Sequence, residues 1–128
     1  MKITKLLFSV MLLVGVLYAC EKDKSDSKIG LEENKLTFQA AGDSAIVKTE
    51  NGYWGISEIY ETTDTTIIHG GLRDKDTISI NWFTTIKMDK DVFVKVDPNN
   101  TGEKRKILLV LVKGNDYADL AITQEKNN

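Results

Sequence analysis

From Lys35 onward, apolar and polar positions alternate with a period of two over short stretches, and Gly, Asn and Asp separate the stretches. Successive side chains of a strand point to opposite faces, so this pattern predicts half-buried β-strands. Val92, Val94 and Val96 share one face, with Phe93 and Lys95 on the other. Ala118, Leu120 and Ile122 separate in the same way from Asp119, Ala121 and Thr123. The first set of each segment is expected in the core. Residues 107–112 are apolar on both faces, which predicts a central strand covered on each side, or one with a face against a neighbouring chain.

Strands are expected at residues 36–39, 45–49, 54–60, 65–69, 77–81, 92–96, 107–113 and 117–124, rich in Val, Ile, Thr and aromatics. No stretch sustains a helical period. Gly114-Asn115-Asp116 predicts a tight hairpin between the last two strands, and residues 97–102, with the chain's single proline and Gly102, predict a second turn. Without a helix to cover a sheet face, sheets must cover one another, and the expected class is an all-β sandwich of about seven to eight strands.

The first 34 residues follow another grammar. Lys2 and Lys5 precede an apolar run from Leu6 to Tyr18, and Ala19 stands before the chain's one cysteine, Cys20. This is the order of an export signal. The run of about 13 residues is shorter than the roughly 20 that a membrane-spanning helix needs. Leu17-Tyr18-Ala19-Cys20 resembles the lipobox of bacterial lipoproteins, although Tyr18 is larger than the residue usual there. The resemblance implies cleavage after residue 19 and a diacylglycerol on Cys20. Two or three acyl chains hold a protein to a bilayer where one binds only reversibly. Residues 20–34 are expected to be a lipidated flexible tether, since residues 21–28 contain nothing apolar to bury. Acidic residues behind the cysteine resemble the surface-export signal of Bacteroidetes lipoproteins. The expected location is the outer membrane, on its cell-surface or periplasmic face, with the membrane as partner through the N-terminal lipid.

Residues 35–128 are left as a single domain, large enough to fold without disulfides. The formal charge of −2 becomes more negative once Lys2 and Lys5 leave. The one tight basic cluster, Lys104-Arg105-Lys106, follows Glu103 and reads as a solvated turn, so no nucleic-acid partner is expected.

Ser44 to Thr49, Asn51-Gly52-Tyr53-Trp54, Asn81-Trp82-Phe83-Thr84, Phe93 to Val96, the Asn99 to Arg105 turn and the closing Ile122-Thr123-Gln124 together look like a BACON domain. The resemblance spans roughly residues 35–126. It implies an immunoglobulin-like β-sandwich of the kind common in Bacteroidetes surface and periplasmic proteins, with a suggested role in binding carbohydrate or mucin. Residues 57–76 look like a hairpin added to the family pattern.

Catalytic chemistry finds little support. His69, the only histidine, precedes Gly70-Gly71 and reads as a polar residue at a hairpin tip, and Cys20 is taken by lipid. No metal-spaced His/Cys set or phosphate loop appears, and residues 97–102 fail as a calcium loop because Leu108 stands where its closing Glu belongs. Neither an enzyme nor a cofactor is expected. Asp43-Ser44-Ala45, Asp64-Thr65-Thr66 and Asp76-Thr77-Ile78 resemble a short O-glycosylation acceptor motif of Bacteroidetes.

An exposed aromatic ring flanked by polar groups is the usual apolar platform for a sugar. Trp82, Phe83, Tyr53 and Tyr60 are the candidate contacts for a polysaccharide or glycoprotein glycan, while Trp54 is expected in the core. Trp82 and Phe83 are adjacent in an extended segment, so one of the two rings is expected to face solvent. Two readings stay open: a non-catalytic carbohydrate- or mucin-binding accessory, and a structural module that docks another surface protein through residues 107–112 or 57–76.

Overall fold

The computed structural model describes residues 29–128. The signal, Cys20 and the tether up to residue 28 lie outside the described residues. Nine strands follow in order: β1 Lys35–Phe38, β2 Asp43–Val47, β3 Gly55–Thr62, β4 Thr66–His69, β5 Thr77–Ile80, β6 Phe83–Met88, β7 Asp91–Val96, β8 Arg105–Lys113 and β9 Asp116–Gln124. They form two sheets, one ordered β1-β9-β8-β3-β4 and the other β2-β7-β6-β5. Pairing is antiparallel except where β1 runs parallel to β9. The cores β3-β8-β9 and β2-β7-β6 reproduce the CFG and BED sheets of an immunoglobulin-like sandwich.

Alternation places the core as expected. Val92, Val94 and Val96 of β7 are buried between the sheets, and from the other sheet Ile107, Leu109 and Leu111 of β8 and Leu120 and Ile122 of β9 face them. The second apolar face of β8 is only partly covered: Leu108 and Val110 are half-buried on the outer side of the sheet, with Tyr60 and Glu58 of β3 across from them. Three two-residue hairpins, at Asn81-Trp82, Asp89-Lys90 and Gly114-Asn115, each begin with a residue at positive φ, namely 48°, 59° and 58°. That backbone matches the right-handed twist of the strands it joins.

Eight of the nine strands coincide with the expected ones. β6 is the addition, and its pattern explains why: its inward residues are Phe83, Thr85 and Lys87, and its outward ones are Thr84, Ile86 and Met88. Two polar residues face the core because backbone carbonyls satisfy them. The Thr85 hydroxyl donates to Phe93 O at 3.0 Å, and Lys87 Nζ donates to Trp54 O at 2.6 Å. The domain boundary at residue 35 also needs correction. Ile29 is fully buried in the core, and Leu31 bridges to Thr49, so residues 29–34 belong to the sandwich and not to the tether.

Candidate functional site

The four aromatic candidates fall in three separate places. Trp82 and Phe83 are both buried, at 7% and 1% exposure, which corrects the expectation of one exposed ring. Strict alternation fails because Trp82 is not in a strand. It is the second residue of the β5–β6 turn, after Asn81 at φ 48°, and Phe83 is the first paired residue of β6. The turn lets the Trp82 ring fold back, where the Arg105 guanidinium covers it at 4.4 Å from the ring centroid. Neither ring is a platform for a sugar.

Arg105 opens β8 and holds the end of the sandwich shut. Its Nε donates to Gln124 Oε1 at 2.9 Å, and one terminal nitrogen donates to the carbonyls of Asp97 and Pro98, both at 3.1 Å. Gln124 Nε2 donates to Asp97 O at 2.8 Å and to Gln39 O at 3.2 Å, tying β9 to the end of β1. Asn99, 1% exposed, donates to Glu103 O and Glu125 O and accepts from the Thr101 hydroxyl. Burial pushes the Arg105 pKa down, with the charges of Asp97 and Glu61 opposing the shift. Arg105, Gln124 and Asn99 are thus a polar staple, with their donors and acceptors spent on backbone and on neighbouring side chains.

Beside this staple lies a contact that sequence reasoning missed. Glu61 is buried on the inner side of β3, where both carboxylate oxygens accept from Asn81 Nδ2 at 2.9 and 3.0 Å. His69 Nε2 lies 3.3 Å from Glu61 Oε1, across the β3–β4 hairpin. His69 and Asn81 are 8 and 20 positions from Glu61, and folding of the strands brings the three together. Among the described residues no group of three or more His, Cys, Asp or Glu could hold a metal.

Tyr60 lies on the outer face of the five-stranded sheet, half-buried, and its hydroxyl donates to Glu58. That hydrogen bond and the Glu58 charge raise its pKa above 10.0. It stands five residues along β3 from Gly55, about 16 Å at the rise of a strand, and shares no site with Tyr53.

Tyr53 is the candidate with a free face. It is 88% exposed at the edge of a cleft of about 400 Å³, lined also by Trp54, Gly55, Arg73, Lys87, Val112, Lys113 and Gly114. The cleft has a fixed floor. Trp54 is buried, and its Nε1 donates to Lys90 O at 3.1 Å and to Thr49 Oγ1 at 3.3 Å, while the Thr49 hydroxyl also donates to Lys90 O. Lys87 sits over the Trp54 ring at 4.9 Å from its centroid. Ser57 is an extra residue in β3 opposite β8, a bulge that turns the strand near the cleft. A Cβ at Gly55 would lie 3.2 Å from Arg73 O, so glycine lets the 70–76 connection approach the strand. Lys113 Nζ lies 6.0 Å from the Tyr53 centroid, at the outer limit of a cation–π contact.

No family model and no curated protein matches the chain. Among solved structures, the chain is similar to the NMR structure of a protein from Bacteroides thetaiotaomicron, with a TM-score of 0.64 at 18% identity, covering 85% of this chain and 98% of that one. At that identity the likeness shows the fold.

Proposed function

We propose that the chain is an exported lipoprotein, anchored through lipid on Cys20 at the outer membrane, whose BACON-like sandwich is a non-catalytic carbohydrate-binding accessory. The Tyr53 cleft is its contact surface. The observation that carries this reading is the Tyr53 ring, 88% exposed beside a cleft of about 400 Å³ whose Trp54 floor is pinned by hydrogen bonds. A sugar ring stacks its C–H face on such an exposed ring. Trp82 and Phe83 have no part in it.

The test is a glycan array with the full-length chain in neutral detergent, beside Tyr53→Ala. Saturable binding to at least one glycan, weakened about tenfold or more in the variant, is expected. Binding indifferent to Tyr53, or none to any glycan, refutes the cleft as a sugar site. Mass spectrometry of the mature N-terminal peptide tests the anchor: Cys20 should carry diacylglycerol, and Cys20→Ser should retain residues 1–19 without lipid.

A second reading has its own observation. Among the described residues β4 pairs only with β3, which leaves its other edge open, and it exposes Ile67 at 50% and Ile68 at 61% on opposite faces. An open edge with apolar side chains is a template for strand addition by a surface protein. Co-purification of a partner that Ile67→Lys abolishes would favour that reading over the sugar site.

A further inference from the structure

We infer that the Tyr53 cleft takes an acidic glycan, one whose sugars bear carboxylate or sulfate groups. This rests on the glycan reading of the cleft and specifies its ligand class. Three cations, Arg73, Lys87 and Lys113, line the cleft, and among the described residues no carboxylate lines it. The chain has more acidic than basic residues, 19 against 17, so gathering three cations without an acid runs against its overall balance.

No ion pair among the described residues consumes these cations. Among the described residues, the pairs within 4 Å are His69–Glu61 and Lys104–Glu125, both away from the cleft. Lys87 is held in place by Trp54, with Nζ donating to the Trp54 carbonyl at 2.6 Å and lying over its ring. An ammonium has three donors, so this arrangement fixes the charge and leaves others to offer. Arg73 is exposed on the connection between β4 and β5, and its planar fork suits a carboxylate or sulfate bidentately. Lys113, half-buried at the end of β8, is held only loosely by the Tyr53 ring at 6.0 Å. Asp74 and Asp76 follow Arg73 in sequence but do not line the cleft.

Like charges around one concave surface raise each other's energy, and a bound anion relieves it. The aromatic face supplies the contact that any sugar can use, and the cations supply the one that a neutral sugar cannot. A glycan with a carboxylate or sulfate beside the stacked ring uses both.

The test measures binding to the full-length chain, in nonionic detergent, of oligogalacturonate, alginate and chondroitin sulfate fragments. Each is run beside its methyl-esterified or desulfated counterpart, with polyglutamate as a charged non-sugar. At least one acidic fragment is expected to bind about tenfold or more tightly than its neutral counterpart, since hydrogen bonds to charged groups are the stronger kind. That advantage should shrink as NaCl rises. Arg73→Gln with Lys113→Gln should remove it, whereas Lys95→Gln with Lys106→Gln, the same loss of two charges at exposed positions outside the cleft, should keep it. Equal, Tyr53-dependent affinity for acidic and neutral members overturns the acidic ligand and leaves the glycan reading standing. No binding by any member overturns both. Polyglutamate binding as tightly as the best fragment also overturns the inference, because charge alone would then explain it.

Discussion

β8 begins and ends beside an aromatic–cation pair. At one end Arg105 covers Trp82 at 4.4 Å, and at the other Lys113 stands 6.0 Å from Tyr53. The strand's nine residues put these ends about 26 Å apart. Trp82 is 7% exposed and Tyr53 is 88% exposed. Arg105 is spent on three backbone or side-chain acceptors, and Lys113 has no carboxylate within ion-pair distance among the described residues. A cation beside an aromatic ring thus closes one end of the sandwich and leaves the other open to a ligand. What separates them is where the donors go, which residue type alone does not reveal.

The largest expected effect comes from breaking the closed end at its ring. Trp82→Ala removes a buried indole packed between Arg105 and Phe83, and should cost about 3–5 kcal/mol in urea unfolding. A cost below about 1 kcal/mol would mean that the ring is not part of the core. Arg105→Met comes next. It keeps apolar cover over Trp82 but leaves Gln124 Oε1 and the Pro98 carbonyl without their donor, and the Asp97 carbonyl with Gln124 Nε2 alone, for about 2–3 kcal/mol. Arg105→Lys should recover only part of this, because an ammonium lacks the planar fork that reaches all three acceptors.

The open end should behave in the opposite way. Tyr53→Ala removes a ring that touches little, and unfolding free energy should stay within about 0.5 kcal/mol of the parent. A change above 1 kcal/mol would make Tyr53 a structural residue and erase the contrast between the two ends.

Much of this was legible in the sequence where a side chain's environment follows from strand alternation. The valines of β7 and the apolar set of β9 face inward as their period requires, and the Gly114-Asn115 hairpin sits where its turn residues put it. Alternation failed at Trp82-Phe83, where a two-residue turn starting at Asn81 interrupts the strand. It failed again along β6, because Thr85 and Lys87 point inward to reach carbonyls. The staple's residues were singled out through the family resemblance, but their role depends on acceptors just past β1, on β9 and in the 97–98 turn. Tyr53 was found as a candidate, while the cations around it come from β6, β8 and the 70–76 connection. No local spacing joins such positions. Buried Ile29 was missed because it follows a wholly polar run and stands outside any alternating segment.

The smallest effect asks whether the closed end owes its strength to the buried staple or also to the exposed tip beside it. The β3–β4 hairpin turns at Thr63 to Thr65, near the end where Thr62 pairs with Lys106. The Asp64 carboxylate accepts from the Thr63 hydroxyl at 3.1 Å and from the Thr65 backbone N–H at 2.9 Å, and these bonds hold its pKa below the ordinary 3.8. A carboxyl with a depressed folded pKa stabilises the fold above its unfolded pKa, and that contribution is lost as pH falls through the folded value. Carbon-detected NMR titration should place the Asp64 midpoint below 3.8, and Thr63→Val should raise it. The side chain is fully exposed, so Asp64→Asn should leave urea unfolding at pH 7 unchanged within error. If Asp64→Asn instead approached the cost of Arg105→Met, stability at this end would extend to the hairpin tip, and the Arg105–Gln124–Asn99 network would not be sufficient to close it.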